Sequence, residues 1–182
     1  MMKINPTKKP YSGLDHAYAV FNAELFGDEL PSYLISIQRV KKAYGYFAGG
    51  RFGSKDGAFV TDEIALNPSH FSVRPTEQTL STLVHEMVHL WQHHFGKPSR
   101  GGYHNREWAE KMHSVGLAPS STGEPGGNET GQRVTHSLLS EDHSRPFMPS
   151  WRRKASTRSM SSWGRREKAG GASQEGGEQD ML

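Results

Sequence analysis

Cysteine is absent from all 182 residues, which excludes disulfides, thiolate catalysis and any cysteine zinc ribbon. That composition fits a reducing compartment. No run of about 18 apolar residues occurs, so no segment is read as crossing a membrane. The start, Met1-Met2-Lys3-Ile4-Asn5-Pro6, lacks the apolar stretch of a signal peptide. Together these absences give a cytoplasmic protein as the expectation. Charge of one sign is also scarce: the net value is +3, and residues 1–118 hold thirteen basic and eleven acidic side chains. Such a balance makes no global case for nucleic acid.

What is present fits one domain of about 100–150 residues plus a tail. Residues 1–10 are polar and read as flexible. From residue 11 to 26, Leu14, Ala17, Tyr18, Phe21 and Leu25 form a helical stripe that ends at Gly27. Residues 33–40 and 44–52 read as strands. Ser54-Lys55-Asp56-Gly57 is a turn, and residues 58–60 and 63–66 continue as strand until Asn67-Pro68 stops them. Helix, small sheet and two further helices give an α+β class with the sheet over the central helix.

That central helix carries His85-Glu86-Met87-Val88-His89. Pro75 and Thr76, a candidate cap, open it, and Gly96 with Pro98 closes it. His85 and His89 stand one turn apart, roughly 6 Å along the axis, on one face. Both can therefore reach one ion at Zn–N distances of about 2.0–2.1 Å. Glu86 points about 100° away from His85, beside the ion. It is placed there to deprotonate water whose pKa zinc lowers to about 7. HExxH on a helix is the metallopeptidase arrangement.

A catalytic zinc needs a third protein ligand and an open position. His93 continues the series but stands roughly 12 Å along the axis from His85, too far to share an ion. His93 and His94 read as solvated histidines near the helix C-terminus. His104 is the favoured third ligand, because Gly96, Gly101 and Gly102 let the chain reverse and Asn105 caps a second helix, residues 106–115. Glu107 and Glu110 on that helix are its competitors. Trp108 and Met112 are expected to pack the second helix on the first, and Tyr103 or His94 to face the oxyanion.

These blocks resemble the SprT-like metallopeptidases, a group that includes the Spartan proteases of DNA–protein crosslinks. The resemblance rests on Thr82-Leu83-Val84-His85-Glu86-Met87-Val88-His89, Gly102-Tyr103-His104-Asn105-Arg106-Glu107-Trp108, Met112 and Val115-Gly116-Leu117-Ala118-Pro119. Phe21-Asn22, Leu25-Phe26, Glu29-Leu30-Pro31 and Gly45-Tyr46-Phe47 precede them in the same order. It implies a zincin-like domain over residues 11–119, one catalytic Zn2+ on His85, His89 and His104, and Glu86 as base. In that family the strand before the metal helix borders the cleft, so residues 63–67 here either offer an edge to an extended peptide or are simply a paired strand.

The expected substrate is a protein or peptide, with DNA-associated or DNA-crosslinked proteins as the class and DNA as a candidate partner. No membrane partner is expected, and the chain is read as a monomer. Lys41, Lys42, Arg51 and Lys55 are candidates for phosphate contacts. Residues 120–140 read as a Gly/Ser/Pro linker with room for a short strand, and its connector 120–132 resembles one in bacterial members. His136 and His143 beside it read as lone histidines rather than ligands. Residues 141–182 read as a disordered basic and glycine-rich tail. Pattern is lost near Ser140, which reads as a frameshifted or replaced carboxy-terminal segment. Two other classes remain open on sequence: a zinc-stabilised nucleic-acid adaptor without activity, and a metallohydrolase of a non-peptide substrate.

Overall fold

Leucine, valine and methionine at positions 80, 83, 84, 87, 88 and 90 all fall on one broad face of residues 76–95, so that face must lie against a core. In the computed structural model, which describes residues 5–138, that is its place. Helix α2 (Thr76–Phe95) buries twelve of its residues, among them Leu80, Leu83, Val84, Met87, Val88 and Leu90. Helix α1 (Lys8–Phe26) contributes Leu14, Tyr18, Phe21 and Phe26 to the same core. Helix α3 (Arg106–Ser114) adds Trp108, Ala109 and Met112.

The sheet consists of β1 (Tyr33–Ile37), β2 (Gly45–Gly53) and β3 (Val60–Leu66), in the order β1-β3-β2. β1 runs parallel to β3 and β2 antiparallel to it. Ile64 and Leu66 face the helical core. β2 lies close on α2: a Cβ added at Gly45 would stand 2.8 Å from the Ala65 carbonyl oxygen and 3.1 Å from Thr82 Cγ2. Glycine is what allows that approach. A second ribbon pairs β4 (Leu117–Ser120) with β5 (Thr135–Leu138). The α+β class read from the sequence is therefore the observed one. Among the described residues no helix is long and apolar enough to cross a membrane.

Several expectations change in detail. α1 begins at Lys8 rather than residue 11, because Asn5 Oδ1 accepts from the backbone N–H of Thr7 and Lys8 at 3.1 and 2.9 Å. Pro10 falls in the first turn, where no N–H is required. Thr76 is not the cap of α2; the boundary residue is Pro75, whose carbonyl accepts from Gln78 and Thr79. β3 is the central strand, so of the two readings of residues 63–67 the paired strand is the observed one and the free edge is not: both of its edges are taken, by β1 and β2. Ribbon strand β4 was not expected at all. The expected tail, with His143 and the frameshifted or replaced segment, lies outside the described residues.

His94 is not merely solvated. Its Nε2 donates to Asp62 Oδ2 at 2.6 Å, and Asp62 Oδ1 accepts from Gly50 N–H at 2.7 Å. The carboxylate thus ties the irregular turn of β2 between Ala48 and Phe52 to the end of α2. Burial pushes the Asp62 carboxyl up, but the His94 and Gly50 donors outweigh it and hold it below the ordinary 3.8. Asp62→Ala is expected to cost about 1–3 kcal/mol in urea unfolding, as two donors lose a buried anionic acceptor. Because the folded-state carboxyl titrates lower than the unfolded one, its contribution is complete above the unfolded value. It fades as the pH falls through the lower folded value, and the variant should lose that part of the acid dependence.

Candidate metal centre

α2 supplies His85 and Glu86, both buried, and His89, half-buried, from neighbouring positions on the helix, and the loop after Gly96 returns His104 to them. The return is built by polar side chains at the helix ends. Asn105 Oδ1 caps α3 by accepting from Trp108 N–H at 3.0 Å and also accepts from Gln92 Nε2 at 2.7 Å. Asn105 Nδ2 donates to the Lys97 carbonyl. Gln92, the last buried residue of α2, is thereby fixed to the first turn of α3. Trp108 is fully buried, and its ring lies 5.0, 5.2 and 4.3 Å from those of His85, His89 and His104. It forms the floor on which the three imidazoles sit, as expected from its place on α3.

The ligand nitrogens of His85, His89 and His104 all lie within 4.8 Å of one another. His89 Nε2 and His104 Nε2 are 3.1 Å apart. Two ligands about 2.0–2.1 Å from a tetrahedral ion stand roughly 3.3 Å from each other, so this pair is close to a ligand spacing. The protonation chemistry also fits. Burial lowers the pKa of His85 far below 6.5, with His89, His136 and His104 adding to it. Burial, then His104, takes His89 down to about 3, and burial lowers His104 as well. Neutral imidazoles keep a lone pair for a metal. On His104 that lone pair is assigned to Nε2, since Nδ1 donates to the Gly131 carbonyl at 3.1 Å.

Glu86 is buried and borders the same cleft of about 720 Å³, and burial pushes its carboxyl up to about 8. The competing carboxylates are elsewhere. Glu107 Oε2 accepts from Gln92 Nε2 at 2.8 Å and from Lys97 N–H at 2.7 Å. Glu110 pairs with Arg106 on the surface. Of the two oxyanion candidates, Tyr103 borders the cleft, whereas His94 is turned to Asp62. Asp62, His93 and His94 also group within 4.8 Å. There the His94–Asp62 separation of 2.6 Å is a direct hydrogen bond, shorter than two ligands on one ion would stand.

The strand bordering the cleft is β2, through Gly45, Tyr46 and Phe47, and its edge away from β3 is unpaired among the described residues. Lys41 and Lys42 precede β2, while Arg51 and Lys55 lie at its far end. They form two separate pairs, not one cluster.

Sequence reasoning set His136 aside, yet it belongs to this site. The antiparallel pairing of β4 with β5 places it opposite Pro119. Its Nδ1 lies 3.1 Å from His85 Nδ1 and its Nε2 2.9 Å from Ser81 Oγ. The glycine-rich segment expected as a linker returns over the metal helix, with Gly131 and His104 exchanging backbone hydrogen bonds at 2.8 and 3.0 Å. A usable signal is the connector motif Thr130-Gly131-Gln132, followed within residues 120–140 by room for a short strand.

Comparison with known proteins agrees with this extent. The SprT-like family model matches residues 14–135, which includes the returning loop and the first residue of β5. An uncharacterized protein in the mucB 3' region of Salmonella typhimurium is 44% identical over 59 residues, 32% of this chain and 80% of that protein. With the match covering well over half of its length, the chain belongs to the SprT-like family.

Proposed function

We propose that this chain is a zinc-dependent peptidase acting on a protein or peptide substrate, with proteins held on DNA as the substrate class. One observation carries the reading: three imidazoles, those of His85 and His104 buried and that of His89 half-buried, converge in a cleft that also contains a buried carboxylate. His85, His89 and His104 would hold the ion. When bound, zinc polarises a carbonyl and acidifies water to a pKa of about 7. Glu86 takes the proton of the attacking water and passes it to the leaving amine. The open edge of β2 at residues 45–47 receives the substrate as an added strand, so main-chain hydrogen bonds fix its register. Tyr103 is the side chain assigned to the oxyanion.

The test is to incubate the zinc-loaded full chain with a DNA-binding protein, with and without DNA, and to follow cleavage. Cleavage that requires DNA is the expected result. Cleavage without DNA would keep the peptidase and remove the DNA requirement. Binding of DNA without cleavage, with zinc in a closed four-ligand sphere, would replace the reading by the adaptor.

A further inference from the structure

We propose that His136 is a positioning residue for His85: it accepts the Nδ1 proton of His85 and so fixes which ring nitrogen His85 offers to a metal. The inference rests on the metal reading above and names a residue that reading does not use.

The direction of the chain follows from counting protons. Ser81 Oγ lies 3.0 Å from the Gln78 carbonyl oxygen and 2.9 Å from His136 Nε2. A hydroxyl has one proton, and a carbonyl can only accept. Ser81 therefore donates to Gln78 and accepts from His136 Nε2–H. A neutral His136 protonated on Nε2 has its lone pair on Nδ1, 3.1 Å from His85 Nδ1. His85 must then be the donor of that contact, which leaves its Nε2 unprotonated. The opposite polarity would place a proton on His85 Nε2, the ring nitrogen left for the ion.

The three metal histidines thus differ in what holds them. His104 donates Nδ1–H to the Gly131 carbonyl. His85 donates to a second imidazole that is itself anchored through Ser81 to the backbone of α2. Both supports are delivered by the segment after α3, Gly131 from the loop and His136 from β5. An outer partner that sets the tautomer and ring plane of a ligand is typically worth about 10–100-fold in metal affinity.

The experiment has two arms on the full chain. Long-range proton–nitrogen NMR, with zinc bound or removed, should find His85 protonated on Nδ1 and His136 on Nε2. His85 protonated on Nε2, or His136 on Nδ1, overturns the proposal. Chelator competition then measures zinc affinity in folded variants, checked by circular dichroism and Tm. Asn places an oxygen near the position of the His136 Nδ1, whereas Gln and Ala do not. His136→Asn should stay within a few-fold of wild type, while His136→Gln and His136→Ala should weaken zinc by about 10–100-fold. Unchanged affinity in His136→Ala, or equal loss in Asn, Gln and Ala, overturns it. A wild-type chain that binds no zinc would instead overturn the peptidase reading, and the NMR arm would still decide the proton direction.

Discussion

Glu86→Gln is expected to keep its zinc and to lose proteolysis by about a thousandfold or more, the scale of a general acid–base group. The substitution is nearly isosteric at a position that is 5% exposed, so packing on α2 is preserved. It also removes a group whose charged form is disfavoured there, since burial alone pushes the Glu86 carboxyl up to about 8. Folding stability should therefore hold or rise, which separates chemistry from structure. The amide has no basic lone pair to take the proton of water and cannot return one to the amine. Zinc content by elemental analysis, Tm and kcat/KM on a peptide substrate give the three readings. Cleavage undiminished in this variant removes Glu86 from the mechanism.

How far the site was legible follows from the range over which each contact is set. His85, Glu86 and His89 lie within one and a half turns, so helical geometry alone brought them together. His104 was reachable because Asn105 and the glycines describe a short reversal, and the structure bears out the cap. Gly96 closes α2 as expected and also makes room for the junction with α3. Its backbone is extended, and a Cβ there would meet Glu107 Oε2 at 2.6 Å. The order of strands could not be read, because a parallel β1–β3 pairing across an intervening hairpin leaves no trace in alternation. Hence residues 63–67 stay open on sequence between a free edge and a paired strand. His136 was missed for a similar reason: β4 is four residues long and contains Pro119, too short to show a period. Without β4 there is nothing to say where β5 returns. Local patterns placed the candidate ligands; nonlocal pairing placed the groups that lie against them.

The ligand choice yields the second large effect. His104→Ala should drop from about one zinc per chain toward none at equal folding, since a three-imidazole site loses one of three protein ligands. Glu107→Ala should stay near one. The contrast is sharp because the two side chains sit on the same short segment and differ in what they face. His104 Nε2 is 3.1 Å from His89 Nε2. Glu107 faces the end of α2, where the Lys97 N–H and the Gln92 amide hold its carboxyl below the usual carboxylate range. A carboxylate so engaged has its Oε2 committed twice over to the α2–α3 junction. Glu107→Ala should therefore appear as a stability change of about 1–3 kcal/mol in urea unfolding, the scale of hydrogen bonds to a charged acceptor, with zinc retained. Zinc retained in His104→Ala and lost in Glu107→Ala would move the third ligand to Glu107. It would also require the junction to rearrange, because Gln92 and Lys97 would then have to find another acceptor.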